Sequence, residues 1–281
     1  MLAVVFGVGT ALCWGLADFL GGLRTRRLTL ASVLLVSQLT GLAAVAIVVG
    51  VGDFETPPFA EIWPALLAGA SQLAGIAALY RGLAIGTMSV ISPISASGAA
   101  AIPVVVGVAT GERPGTLVVL GMVGALVGVV LATRTPDSER GDGSPRSAFA
   151  LAAVAALGFS GFFIGMDAAV ADVDPFWALL AARASAGAVV VAVVLAARPP
   201  LSAAPADLPS LALIGVLDVG ANACFALGAD TGLLSVVSVL ASLYPVLTVV
   251  LARAILGERL IPVQTAGVTV ALAGVALIAT G

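Results

Sequence analysis

The sequence predicts an all-α integral membrane protein: ten transmembrane helices arranged as two inverted five-helix repeats. Three observations predict it. Charged residues fill only 10 % of the 281 positions and hydrophobic residues 60 %, with a mean hydropathy of +1.18. Ten apolar stretches of the length a helix needs to cross a bilayer follow one another with short connections. The second half of the chain repeats features of the first. A water-soluble globule has too much surface to hide so apolar a composition. The composition therefore speaks against a soluble enzyme, a disordered chain or a nucleic-acid-binding protein, and for the lipid bilayer as surroundings.

The first stretch, 2–21, is apolar from Leu2 with no basic leader, so it reads as a membrane helix and not a cleaved signal. Arg24, Arg26 and Arg27 separate it from the second, 30–50. Pro57-Pro58 precedes the third, 61–81. The fourth, 88–110, carries Ser89, Ser92, Pro93, Ser95, Ser97 and Pro103. The fifth, 115–133, has small residues at Gly121, Gly124 and Gly128, which suit close helix packing within the chain or against another copy. Residues 134–146 form the longest polar stretch and fall almost at mid-chain, as a linker would. Beyond it come 147–168, 176–197, 208–229, 233–256 and 262–280, with Pro199-Pro200 marking the connection after the seventh. The expected units are thus 1–133 and 147–281.

An internal repeat supports that division. Displaced by 146 positions, Ser89-Val90 and Ser92 fall on Ser235-Val236 and Ser238, and Gly111-Glu112-Arg113 falls on Gly257-Glu258-Arg259. Gly121, Ala125 and Gly128 fall on Gly267, Ala271 and Gly274. Displaced by 145, Gln38 falls on Arg183. Five is odd, so the second repeat must enter from the opposite side. The connection after the first helix holds three Arg and no acid, whereas its equivalent holds Asp172 and Asp174 and no Arg. That reversal is expected of inverted halves, because cytoplasmic loops keep the arginines. Connections after odd-numbered helices hold nine Arg and those after even-numbered helices one, Arg113, which puts both termini outside the cell.

Several chemistries are missing. The sequence contains no His and no Lys. It therefore has no phosphate-loop lysine, no HExxH metal site, no Ser–His dyad and no Schiff-base lysine. No enzyme activity, metal or cofactor is expected. Cys13 and Cys224 lie in apolar stretches and read as packing residues.

Polar residues at membrane depth are costly and mark candidate sites. Asp18 lies one turn from Trp14, so both face one way. It is a candidate proton carrier, or a hydrated residue at the interface. Asp218 and Asn222 lie i, i+4 in the eighth stretch, with Phe225 continuing their face. Asp218 corresponds to Gln72 of the third, so polar residues of the two halves are expected to meet. The alternatives are a cavity lining, with Asp218 a second proton carrier, and a helix–helix hydrogen bond. Arg183 needs an anion: Asp18, Asp218 or a substrate carboxylate. Its counterpart Gln38 is neutral, which makes a cavity between them lopsided in charge. Ser92, Ser238 and Tyr244 are candidates for lining a path, and Pro93, Pro103 and Pro245 for bending it. Tight small-residue packing is the other reading of these helices.

The segment Ser235 to Leu260, SVVSVLASLYPVLTVVLARAILGERL, resembles the signature of the EamA domain of the drug/metabolite transporter superfamily. Ala78 to Val90 resembles that family's junction of third and fourth helices, and Ala11 to Gly15 its first helix. The resemblance implies a ten-helix secondary transporter or facilitator, often an exporter of small metabolites, amino acids or drugs. The absence of Lys and the abundance of Ala, Val, Gly and Arg point to a high-GC bacterial source, so a bacterial plasma membrane is the expected location, with the protein a monomer or homodimer. It implies cytoplasmic termini, against the arginine count. The first repeat lacks the Tyr-Pro step, having Gly98-Ala99 where the second has Tyr244-Pro245. A lipid flippase and a non-transporting accessory subunit are the competing functions.

Overall fold

The computed structural model describes residues 1–25, 27–84, 88–134, 145–256 and 261–280. Eleven α-helices run through them: α1 (Leu2–Thr25), α2 (Leu30–Val51), α3 (Trp63–Ala84), α4 (Met88–Ala109), α5 (Thr116–Ala132), α6 (Pro145–Val170), α7 (Pro175–Ala197), α8 (Leu208–Thr231), α9 (Leu234–Ala241), α10 (Tyr244–Leu256) and α11 (Pro262–Thr280). Short 3-10 turns at Phe59–Glu61 and Pro205–Asp207 lead into α3 and α8, and the described residues contain no strand. Seven of the described helices are long and apolar enough to cross a membrane. Helix is the form that satisfies every backbone group within one segment, which lipid demands.

Local chemistry sets the helix ends. Asp174 caps α7 by accepting from the Phe176 N–H at 2.8 Å, with Pro175 in the first turn where its missing donor costs nothing. Pro199-Pro200 follows the end of α7. Between α4 and α5, Gly111 has a φ of +113°, a conformation that favours glycine.

One boundary differs from the sequence expectation. The stretch 233–256 is not one helix but two, α9 and α10, parted at Ser242-Leu243. Pro245 has no N–H to donate back to Ala241, and the Leu243 and Val246 N–H groups reach three residues back, to Leu240 and Leu243.

Packing is antiparallel in the main pairs. Against α8, α1 sets Phe6 beside Gly228, Cys13 beside Gly220, Trp14 beside Asp218 and Arg24 beside Asp207. Against α6, α3 sets Ala68 beside Gly165, Ser71 beside Gly161 and Gly75 beside Gly158. A Cβ at Gly69 would meet the Ala182 carbonyl of α7, and one at Gly215 the Ser37 carbonyl of α2, so both contacts need glycine. Farther out, α5 and α11 meet through Gly121 with Ile278, Gly128 with Ala271, Gly274 with Ala125 and Gly267 with Ala132. These glycines are packing points, as their spacing suggests. α4 lies against α6 and α9, and α1 against α9 and α10. Apolar side chains such as Leu67, Val105, Leu120, Leu157, Leu195 and Leu272 face outward, as a lipid-facing surface requires.

Candidate functional site

A polar cluster sits inside this apolar bundle. Arg183 of α7 is 1 % exposed. Its Nη1 donates to Asp218 Oδ2 of α8 at 2.7 Å and to Gln38 Oε1 of α2 at 2.9 Å. The other carboxylate oxygen, Asp218 Oδ1, accepts from the Trp14 indole N–H of α1 at 2.9 Å. One helical turn beyond Asp218, Asn222 exchanges two amide hydrogen bonds with Gln72 of α3, both 3.0 Å. All five polar side chains are buried. Five helices thus converge on one network. A buried charge pair of this kind gains from low dielectric only because each carboxylate oxygen has a donor.

An aromatic cluster adjoins it. Trp14 stacks on Phe163 with centroids 5.7 Å apart, and Phe163 stacks on Phe225 at 4.5 Å. Phe162 meets Trp14 edge-on at 5.9 Å, and Tyr244 meets it edge-on at 6.2 Å. Phe159 closes on Tyr244 at 6.4 Å. Trp14 belongs to both clusters: its ring packs on aromatics and its N–H holds the carboxylate.

Nearer the end of α1, Asp18 is half-buried, and its Oδ1 accepts from the Tyr80 hydroxyl of α3 at 3.4 Å. On the other side of the bundle, the Glu112 carboxylate accepts from the backbone N–H of Ser235 in the first turn of α9, at 3.1 Å.

The structure brings together Trp14, Gln38, Gln72, Arg183, Asp218 and Asn222. Of the anions considered for Arg183, it supplies Asp218 and not Asp18. Gln72 meets the other half through Asn222 and not through its own counterpart Asp218, because Arg183 and Trp14 already occupy that carboxylate. Trp14 and Asp18 part company: Trp14 reaches α8 and Asp18 reaches α3. Ser238 and Tyr244 are buried in α9 and at the start of α10. Pro103 is buried within α4, which continues through it, whereas Pro245 is buried at the break before α10. The side chains of Ser92 and Pro93 lie outside the described residues. Sequence reasoning missed Tyr80, Phe159, Phe162 and Phe163. The run Phe159-Ser160-Gly161-Phe162-Phe163 was the available signal, since it gathers three of the ten phenylalanines in five positions.

A chain whose described residues form helices and no strand, with an apolar exterior around a buried ion pair and amide pair, is a multi-pass membrane protein. Residues 146–280 match the model of the EamA-like transporter family, so this half of the chain is an EamA domain of the drug/metabolite transporter superfamily. The segment Ser235 to Leu260 lies within the match. No curated protein matches the chain. A solved crystal structure shares its fold, with a TM-score of 0.74 at 18 % identity over 98 % of this chain and 95 % of that one.

Proposed function

We propose that the protein is a secondary transporter that exports a small metabolite, amino acid or drug-like solute across the plasma membrane. It works by alternating access of two inverted five-helix repeats, 1–133 and 147–281, with α9 and α10 together forming one crossing. The observation that carries this reading is the buried Arg183–Asp218 pair with its neighbours Gln38, Gln72, Trp14 and Asn222. Three of these lie in the first unit and three in the second. Charged and amide groups at membrane depth are retained where they serve a path or a site, and inverted-repeat transporters place that site between the repeats.

The packing supports the repeat. The α1–α8 and α6–α3 pairs are equivalent under exchange of halves. So are the Gly69–Ala182 and Gly215–Ser37 contacts, and the contacts of α4 with α6 and of α1 with α9 and α10. Asp18 is the better candidate for proton exchange. Both oxygens of Asp218 are held by donors, whereas the described partner of Asp18 is a single long contact.

The test is efflux from proteoliposomes loaded with pooled amino acids, nucleosides, sugars and organic cations. Selective loss of one class from vesicles with the native protein, abolished in Asp218→Asn, is expected. With a pH gradient imposed, the native protein should respond and Asp18→Asn should not. Loss equal to that of empty vesicles for every class would sink the transporter reading. Loss of the solute without a response to pH would sink only the proton coupling.

A further inference from the structure

Arg183 has a second half that the network does not use. Nη1 spends its two N–H bonds on Asp218 and Gln38. Nε and Nη2 are buried and have no partner among the described residues. These two nitrogens form one edge of the guanidinium plane, with a pair of parallel N–H bonds spaced for the two oxygens of a carboxylate. Three charged N–H donors are thus held away from water with no acceptor among the described residues, which is costly in an apolar interior. The neighbours cannot turn to fill the gap. Asp218 is tied at its other oxygen to Trp14, and Gln38 offers its one carbonyl to Nη1.

We propose that the transported solute carries a carboxylate and that this group docks side-on against Nε and Nη2 of Arg183; the inference rests on the transporter reading above. It accounts for why the cation stands in one half only. Gln38 occupies the equivalent place and has no charge, so one chain offers one carboxylate position. It also constrains what else the solute brings. Arg183 and Asp218 already cancel, so the charge of an incoming carboxylate needs a balance. A cationic group on the same solute supplies it in a zwitterion such as an α-amino acid. A co-transported proton supplies it for a simple monocarboxylate. The aromatic cluster tied to the site by Trp14 offers an apolar surface to the organic body.

The test measures binding to the purified full-length protein in detergent, by calorimetry and thermal shift. The probes are L-amino acids and short monocarboxylates, each set against its primary amide, which keeps the shape and removes the anion. At least one acid is expected to bind about 100-fold more tightly than its amide, the size of a lost charge-assisted pair of hydrogen bonds. Amino acids alone binding indicates the zwitterion; monocarboxylates binding as well indicates the proton-balanced case. Arg183→Lys, a point charge without the fork, should lose most of that preference. The double variant Arg183→Gln with Asp218→Asn is neutral and keeps side chains of similar size, which guards against loss by misfolding. It should lose the preference while remaining monodisperse. Amides binding as well as acids, or the double variant retaining the preference, overturns the carboxylate site. If efflux of another solute class persists alongside such a result, the transporter reading stands without it. If no solute moves in proteoliposomes, both fall together.

Discussion

At the scale of residues, the centre of the protein is a charge pair whose members depend on each other. Removing one leaves the other buried and uncompensated, which costs about 3–5 kcal/mol, more than an average substitution. Asp218→Asn is therefore expected to lower thermal stability in detergent severely. Adding Arg183→Gln to it should recover much of the loss, and a double-mutant cycle measures the recovery. Trp14→Phe keeps an aromatic ring but deletes the donor to Asp218 Oδ1, and about 1–3 kcal/mol of destabilisation is expected in the same assay. A fully additive cycle would contradict a direct Arg183–Asp218 interaction. The polar members of the buried network were legible in the sequence because each is a conspicuous exception in an apolar stretch. Tyr80 and the phenylalanines of α6 were not, because an aromatic residue facing the core and one facing lipid are written alike. The partner of Arg183 was narrowed to three and no further, since helix positions give depth but not azimuth.

At the scale of elements, glycine spacing and proline placement decide the architecture. Gly128 of α5 lies against the Ala271 backbone, where a methyl group has no room, while a Cβ at Gly124 would find nothing nearer than 3.6 Å. Gly128→Ala should separate α5 from α11 and destabilise by about 1–3 kcal/mol, the usual cost of overpacking. Gly124→Ala should be neutral, and equal effects in unfolding experiments would contradict the packing. Glu112 meets the start of α9, where exposed N–H groups favour an anion, so Glu112→Gln should cost about 0.3–1 kcal/mol. Helix positions were readable from hydropathy because lipid allows so few alternatives. The division of 233–256 into α9 and α10 was not, although Pro245 was in view: a proline inside an apolar stretch can bend a helix or end it, and the surrounding packing decides which.

At the scale of the whole molecule, the hydrogen bonds that join connections define two ends. The connection after α1 meets the one after α7: Arg24 pairs with Asp207 at 3.3 Å, and the Thr29 N–H donates to Ser202 Oγ at 2.8 Å. At the opposite end, Glu112 after α4 meets Ser235 after α8. Single cysteines at Arg27 and Ser202, in a Cys13→Ser, Cys224→Ser background, should therefore label from one side of the membrane. Cysteines at Arg113 and Gly232 should label from the other. The arginine count expects the first side to be cytoplasmic and the family resemblance expects the second, so the labelled side decides between them. All four labelling from one side would refute the crossing pattern. The multi-pass class was legible from composition alone, because so apolar a chain has no water-soluble surface to offer.

The seam between α5 and α11 has one more property. Gly128 touches Ala271, and Gly274 touches Ala125; Gly121 touches Ile278, and Gly267 touches Ala132. Each contact becomes its neighbour when the two halves are exchanged. A face that matches its own copy in this way is what a two-fold homodimer needs. On the two-repeat reading proposed above, the copy arrives on the same chain, so meeting it costs no search through the membrane and the effective concentration is fixed by the tether. On that reading one repeat specifies both faces of the seam, and the full chain carries the dimer and its partner in a single reading.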